Sequence, residues 1–234
     1  MIKNPIYEPK GKAKEYGDLA LNIYTGCPHR CFYCYAPLVL KKDKKAFHSI
    51  VEPRDGIVEA TRRQLEHQNI TGQTIHLCFT CDPYPTDYDS TPTREIIKIL
   101  KEHGNHVQIL TKGNGSRDFD LLDKDDWFGV TITGGETEEK LHDLSVQLIK
   151  AKAIYKINTW ISFEPVIDAD SVLKSLKTGA SAVDRVKIGK LNYHKSDINW
   201  HDFGIEAERI CKEQGVNYYI KESLRADMSS ATHH

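Results

Sequence analysis

The sequence lacks several features, and each lack excludes a class of protein. It has no apolar run near the roughly 18–20 residues that a membrane-spanning helix needs, which predicts a protein without membrane spans. Nothing at its N-terminus resembles a signal peptide. Neither charge sign is in excess, since 32 Lys and Arg against 33 Asp and Glu give a net charge of -1. This balance argues against indiscriminate coating of nucleic acid, which rests on many phosphate contacts.

Two lysine-rich runs, at residues 10–14 and 41–45, leave a local basic groove open as an interpretation. Such runs are more often solvated surface charge. The six cysteines do not form a disulfide pattern, because three of them fall within eight residues. Clustered cysteines favour metal binding in a reducing compartment, so we expect a cytoplasmic protein.

The cysteine cluster is Cys27, Cys31 and Cys34, spaced C-x3-C-x2-C. Thiolate sulfur is a soft donor that suits iron–sulfur clusters, zinc or copper(I). A four-iron cluster normally takes four cysteines, so three local ligands would leave one iron open. An open iron can chelate a ligand that carries both an amine and a carboxylate.

This loop resembles the cluster loop of the radical SAM enzymes. The resemblance implies that Cys27, Cys31 and Cys34 hold a 4Fe–4S cluster and that S-adenosylmethionine (SAM) binds its open iron. It further implies reductive cleavage of SAM to a 5'-deoxyadenosyl radical, which abstracts hydrogen from a substrate. An electron donor of the flavodoxin or ferredoxin type is the expected partner.

The alternative is a closed zinc site with His29 as the fourth ligand, in a non-catalytic binding module. Zinc sites more often use two separated ligand pairs. No second C-x2-C or H-x3-H pair follows at finger spacing.

Strand patterns alternate with helix patterns along the chain, which favours a parallel sheet. We predict strands at 18–24, 74–80, 106–111, 127–133, 156–163, 183–188 and 216–220, and helices at 55–68, 93–103, 137–152, 169–176 and 201–214. Asp55 is the expected N-cap of the first helix, and the last helix has Phe203, Ile205, Ile210 and Cys211 as core candidates. The predicted fold class is α/β, a partial (β/α)6 TIM-like barrel of the radical SAM type. An open doubly wound sheet is the alternative. We predict one domain over residues 1–228 with an extended arm at 1–17, and residues 229–234 as a tail typical of an expression tag.

Polar residues follow the predicted strands, where a barrel of this kind has its active site. Cys78, Thr80 and Asp82 share one face by period-two alternation, as do Thr131 and Thr133. The same alternation sends Cys78 and Cys81 to opposite faces. Asp-Pro and Glu-Pro also end strands for backbone reasons alone, but five polar strand ends in a row predict a pocket.

A closer resemblance rests on five segments: 7–16 (YEPKGKAKEY), 24–27 (YTGC), 80–84 (TCDPY), 110–112 (LTK) and 162–165 (SFEP). Together they resemble the spore photoproduct lyase-like branch of the radical SAM superfamily, over about residues 7–221. In that branch the matching positions imply roles at the cofactor. Tyr33 would pack near the adenine, and Thr80 and Asp82 would meet the SAM amino group.

The resemblance implies three further cofactor contacts. Lys112 would contact the SAM carboxylate, for which its ammonium is suited. Thr131 or Thr133 would reach the ribose, and Glu164 would meet SAM or substrate.

Cys78 and Cys81 are the candidates for a cysteine that returns a hydrogen atom to the product radical, a role that the branch implies. Cys78 is equally well interpreted as a small buried core residue. Among the histidines, His29 is expected near the cluster, His76 in the core and His48 at the surface or at a helix end.

The predicted function is radical chemistry on a nucleotide or a nucleic-acid base, with DNA or RNA as the partner. An enzyme that acts on a base in a duplex must extrude that base into its pocket. The alternative is the same chemistry on a small molecule or peptide, which the balanced charge favours.

Overall fold

A computed structural model describes residues 2–229 of the chain. The structure divides into two compact units. The first contains residues up to Phe128 together with Tyr155–Ile157, and the second contains Gly129–Ile154 and the chain from Asn158 onward. The expectation of one domain stays a prediction, and all of the predicted tail except Ser229 lies outside the described residues.

The described residues contain eight strands, numbered here in chain order. They are β1 (Ile6–Tyr7), β2 (Leu19–Leu21), β3 (Thr74–Leu77), β4 (His106–Thr111), β5 (Trp127–Thr131), β6 (Asn158–Phe163), β7 (Arg185–Ile188) and β8 (Tyr218–Ile220). The α-helices are α1 (Ala36–Val39), α2 (Lys44–Ser49), α3 (Ile57–Gln68), α4 (Thr91–Glu102), α5 (Glu138–Ala153), α6 (Ala169–Gly179), α7 (Trp200–Gln214) and α8 (Glu222–Ser229). Three 3-10 helices span Gly11–Glu15, Ser116–Leu121 and Ala180–Ala182.

In the first unit, β2, β3 and β4 pair in parallel, and the short β1 pairs antiparallel with β2. The parallel strands bury aliphatic side chains, among them Leu21, Ile75, Val107 and Ile109. Near-continuous burial of this kind is typical of parallel strands. The segment predicted as an extended arm contains β1 and the 3-10 helix Gly11–Glu15.

In the second unit, β6, β7 and β8 pair in parallel. Asn199 caps the N-terminus of α7, where its side chain accepts a hydrogen bond from the Asp202 backbone, and Gly215 caps the C-terminus with φ of 63°. Phe203 and Ile210 of α7 are buried as predicted. Ile205 was expected in the core, and this prediction is wrong because the side chain is 47% exposed.

Several predicted boundaries differ from the structure. Helix α3 begins at Ile57 after Gly56, in the left-handed region at φ of 62°, so Asp55 is not its N-cap. β3 ends at Leu77, three residues earlier than predicted, because Cys78 has a left-handed φ of 70°. The sequence pattern also missed α1, α2 and α8. Helices α1 and α2, at four and six residues, are too short to show a helical period.

Candidate active site

The cysteine loop follows β2 in the first unit. Cys27, Cys31 and Cys34 are half-buried and are not in disulfides. Backbone bonds hold the start of the loop, since Thr25 N donates to Glu52 O at 2.9 Å and Cys27 N donates to Phe47 O at 3.1 Å. The loop is therefore fixed against the segment that contains α2.

Gly26 is the point of closest approach between the loop and this segment. A Cβ at this position would lie 2.3 Å from Ile50 O and 2.4 Å from Phe47 O. Those contacts are with backbone, which cannot swing away as a side chain does. Only glycine fits there, which explains why it precedes Cys27.

His48 of α2 also supports the loop. Its Nδ1 donates to the Cys27 carbonyl oxygen at 2.8 Å, and the residue is buried. His48 lies in the last turn of α2, so of the two predicted places, the surface or a helix end, the structure gives the helix end.

The donor set of the cysteine loop is three half-buried thiols that are not in disulfides. Burial raises the pKa of the Cys27 and Cys34 thiols, so they hold protons until a metal displaces them. Soft thiolate donors of this kind fit an iron–sulfur cluster.

Asp82 connects the cysteine loop to the end of β4. Its Oδ2 accepts from His29 Nε2 at 2.9 Å and from Lys112 N at 2.8 Å. Its Oδ1 accepts from Tyr84 N at 2.8 Å and from the Thr111 hydroxyl. Burial alone would raise the pKa of Asp82, but these bonds outweigh it, so the pKa is lowered and the carboxylate stays charged.

Lys112 and Tyr33, two predicted cofactor residues, come together in the first unit. The Lys112 Nζ lies 5.8 Å from the centre of the Tyr33 ring, a cation–π distance, and both residues are half-buried. Thr80 is also half-buried, and its backbone N donates to Asn22 Oδ1 at 2.9 Å. The cysteine loop and the ends of β3 and β4 thus present Tyr33, Lys112, Thr80 and Asp82 from one unit.

Asn22 organises the exit of β3, and the sequence did not identify it. Its Oδ1 accepts from Phe79 N and Thr80 N, and its Nδ2 donates to Tyr7 Oη at 2.8 Å. The sequence feature that could have identified Asn22 is its position directly after β2 and before the cysteine loop.

Cys78 and Cys81 lie together, and the expectation that they occupy opposite faces is wrong. The left-handed φ of Cys78 ends the strand alternation, and its thiol lies close enough to Cys81 for that residue to raise the pKa of the Cys78 thiol. Tyr24 N donates to Cys81 Sγ at 3.4 Å. Burial raises the pKa of the Cys78 thiol, and the neighbouring Cys81 raises it further, so Cys78 keeps its S–H.

The remaining predicted residues belong to the second unit. Thr131 and Thr133 are buried, and the Thr133 N and hydroxyl both donate to Glu136. Glu164 Oε2 lies 2.9 Å from Nζ of the buried Lys221. The sequence analysis did not identify Glu136 or Lys221. Lys221 directly follows β8, so the rule that polar residues follow the strands could have found it.

Comparison with protein families defines the class. The family model described as Radical SAM superfamily matches residues 21–178, more than half of the chain. The chain therefore belongs to the radical SAM superfamily and is an enzyme, as predicted. Members of this superfamily use a 4Fe–4S cluster and SAM, which confirms the cofactor prediction at the level of the family.

Solved structures extend the comparison to the fold. Spore photoproduct lyase complexed with dinucleoside spore photoproduct superposes with a TM-score of 0.66, at 11% identity, over 91% of this chain and 78% of the lyase. Streptococcus suis SuiB bound to S-adenosylmethionine superposes with a TM-score of 0.66, at 10% identity, over 90% of this chain and 52% of SuiB. These matches confirm the predicted fold class, an α/β partial barrel of the radical SAM type.

A variant of spore photoproduct lyase with bound AdoMet and dinucleoside spore photoproduct also matches, with a TM-score of 0.57 and 12% identity over 88% of this chain and 63% of the lyase. Comparison with curated protein sequences finds no significant match. Within residues 2–229, every helix is too short or too polar to cross a membrane.

Proposed function

We propose that Cys27, Cys31 and Cys34 bind the 4Fe–4S cluster and that the enzyme uses SAM to abstract hydrogen from a nucleotide or a nucleic-acid base. When bound, the cluster and SAM supply a 5'-deoxyadenosyl radical. The observation that carries this proposal is the fixed cysteine loop, with three half-buried thiols braced by Asp82 and α2.

The side chains of the first unit have distinct tasks in this proposal. Lys112, held beside the Tyr33 ring, presents a cation to the SAM carboxylate. Tyr33 offers an aromatic face to the adenine. The Asp82 carboxylate already accepts four hydrogen bonds. Its main task is therefore to orient His29 and the Lys112 backbone, and contact with SAM is secondary.

In the second unit, we assign Thr131 and Thr133 to the ribose and Glu164 to SAM or substrate, following the resemblance. Lys221 orients Glu164, since the two side chains form a largely buried ion pair. Gly189 leaves space for Glu164, because a Cβ there would lie 2.8 Å from the Glu164 Cδ.

Cys78 and Cys81 are proposed as the source of the hydrogen atom that quenches the product radical. Two adjacent S–H groups, one of them buried with a raised pKa, suit donation of a neutral hydrogen atom. The half-buried Cys81 is the direct donor in this scheme, with the buried Cys78 beside it. Donation breaks the Cys81 S–H bond and leaves a thiyl radical, which one electron from the flavodoxin- or ferredoxin-type donor and one solvent proton return to the thiol.

The nucleic-acid substrate class is supported by similarity to spore photoproduct lyase, a structure solved with a dinucleoside photoproduct. The test is anaerobic turnover with deuterated dinucleoside and oligonucleotide substrates. Deuterium transfer into 5'-deoxyadenosine identifies the substrate. Transfer only from small molecules or peptides would contradict the nucleic-acid proposal, and it would leave the radical chemistry intact.

The hydrogen donor is tested in heavy water with the identified substrate. Wild-type enzyme places solvent-derived deuterium in the product. We expect Cys81→Ala to cleave SAM normally but to lose that label, whereas Cys211→Ala, a change at a buried cysteine of α7, keeps it. Full labelling by Cys81→Ala would exclude Cys81 as the donor.

A further inference from the structure

An exposed apolar stretch begins four residues after Cys34. Leu38 is 81% exposed, Val39 is 63% exposed and Leu40 is 39% exposed. Single exposed aliphatic residues are ordinary, but three in succession form a patch of the kind that marks an interaction site. The patch occupies the end of α1 and the turn that follows it.

Lysines border this patch on its C-terminal side. Lys41, Lys42, Lys44 and Lys45 are all exposed, and the single acid among them is Asp43. Asp43 is engaged as the N-cap of α2, where it accepts from Ala46 N at 2.8 Å. We call residues 38–45 the basic-apolar segment.

Two of the lysines fasten the basic-apolar segment to the cysteine loop. Lys42 Nζ donates to Thr25 O at 2.7 Å, and Lys44 Nζ donates to Phe32 O at 3.3 Å. In the part of the chain that the structure describes, the Lys41 and Lys45 ammonium groups make no hydrogen bond or ion pair. The segment is thus held in place with two cations left to face a partner.

A depression of about 530 Å³ is lined by Arg30, Lys44 and Lys45 together with Asp43, the N-cap of α2, so its lining has a net positive charge. Arg30 belongs to the cysteine loop itself. The surface therefore combines exposed aliphatic side chains, lysines that follow them in the sequence, and a positively charged depression. All three lie close in sequence to the cluster cysteines.

We propose that the basic-apolar segment docks an acidic electron-carrier protein, which passes one electron to the cluster. The proposal rests on the proposed function, because it requires a cluster at Cys27, Cys31 and Cys34. The carrier loses one electron and the cluster gains one, with no bond made or broken. The chain connects the docking surface to a cluster ligand within four residues, so a docked carrier lies next to its acceptor.

The layout favours a protein over a nucleic acid as the occupant. An apolar centre with a charged rim is the ordinary anatomy of a protein interface. Phosphodiester backbones are held by cations and hydrogen bonds, and bases by aromatic stacking, so neither needs three aliphatic side chains. Positive rim charges select an acidic partner and speed its approach.

The test measures binding of reduced flavodoxin to the reconstituted enzyme by calorimetry at low and moderate salt. Two variants probe the surface: Lys41→Glu/Lys45→Glu reverses the rim, and Leu38→Ser/Val39→Ser removes the apolar centre. We expect each to weaken binding about tenfold or more, with the charge variant also losing salt dependence. Lys98→Glu/Lys174→Glu makes the same charge change at exposed lysines elsewhere and should bind as wild type.

A second measurement separates docking from the chemistry. SAM cleavage driven by flavodoxin should slow in both variants, while cleavage driven by dithionite, which needs no docking, should match wild type. Unchanged flavodoxin affinity in both variants would overturn the proposal. So would weakened oligonucleotide binding with unchanged flavodoxin binding, which would assign the surface to nucleic acid. Failure of wild type to cleave SAM with dithionite would instead overturn the proposed function.

Discussion

His29 Nε2 bonds Asp82 Oδ2 at 2.9 Å, and this contact joins the cysteine loop to a residue 53 positions further along the chain. The carboxylate also receives two backbone N–H groups and a hydroxyl. Asp82 therefore fixes the loop between the first two cysteines without occupying a ligand position itself. Groups that orient metal ligands in this way commonly affect metal affinity.

Asp82→Asn tests this relationship. Whichever way the amide is oriented, its NH2 faces a backbone N–H, that of Lys112 or that of Tyr84. We expect a loss of about 1–3 kcal/mol in the free energy of unfolding, because a buried donor is left without an acceptor. Iron content after reconstitution should fall as well. Denaturant unfolding and iron analysis measure the two effects.

Asp125→Asn is the matched control for Asp82→Asn, since Asp125 is exposed and forms its ion pair with the exposed Lys124. Its stability and iron content should match wild type. If Asp82→Asn also behaved as wild type on both counts, Asp82 would not position the loop.

The sequence predicted much of this framework. The strand and helix alternation located every parallel strand, because buried parallel strands are short apolar runs between amphipathic helices. The three cysteines were evident from spacing alone. The strand-end rule also found Lys112 and Asp82, which the structure joins through the Lys112 N to Asp82 Oδ2 bond.

The parts that could not be predicted depend on single backbone angles and on tertiary contacts. A left-handed Cys78 brings its thiol to Cys81, and no periodicity signals one such residue. His48 is buried because α2 packs on the cysteine loop, a contact fixed by tertiary structure. Ile205 has the sequence spacing of a core residue, yet its side chain lies outside the face of α7 that is buried.

Gly26→Ala should disrupt the cysteine loop. The added methyl would meet two backbone oxygens at 2.3 and 2.4 Å, so the loop or α2 must shift. Overpacking of this kind costs about 1–3 kcal/mol. We expect a lower thermal midpoint and weaker iron retention. Gly17→Ala, where the nearest atom would be 4.0 Å away, is the control and should leave both unchanged. A Gly26→Ala protein as stable and iron-rich as wild type would disprove this close packing.

Glu164→Gln should destabilise the second unit. The change removes the carboxylate that faces the 2%-exposed Lys221 side chain at 2.9 Å. Breaking a buried pair on one side costs about 3–5 kcal/mol, whereas replacing both partners costs less. The double variant Glu164→Gln/Lys221→Met should therefore be more stable than Glu164→Gln alone in urea unfolding.

The exposed pair between Arg62 and Glu102 provides the comparison for Glu164→Gln, and Glu102→Gln should change stability by less than about 1 kcal/mol. Equal losses in Glu164→Gln and the double variant would argue against a coupled pair.

Asp184 gives the second unit a pH-dependent contribution to stability. Burial would raise its pKa, but the Lys152 ammonium at 2.9 Å and the Thr159 N and hydroxyl outweigh it, so the pKa is lowered. A lowered folded-state pKa stabilises the protein above the unfolded value of about 3.9. That contribution is lost as pH falls through the folded-state pKa.

The pH effect is measured as the stability difference between wild type and Asp184→Asn. We expect a clear difference at pH 7 that shrinks as the pH falls below the unfolded-state value of about 3.9. Asp143→Asn, a change at an exposed carboxylate of α5, should show little difference at either pH. A difference for Asp184→Asn that stayed constant from pH 7 to pH 3 would contradict the assignment.

The central claim is that Cys27, Cys31 and Cys34 hold a four-iron cluster, and iron and acid-labile sulfide content after anaerobic reconstitution tests it most directly. We predict a brown protein with about four iron and four sulfide per chain, content that Cys31→Ala loses and Cys211→Ala keeps. A colourless protein with one zinc ion per chain and no sulfide would contradict the account.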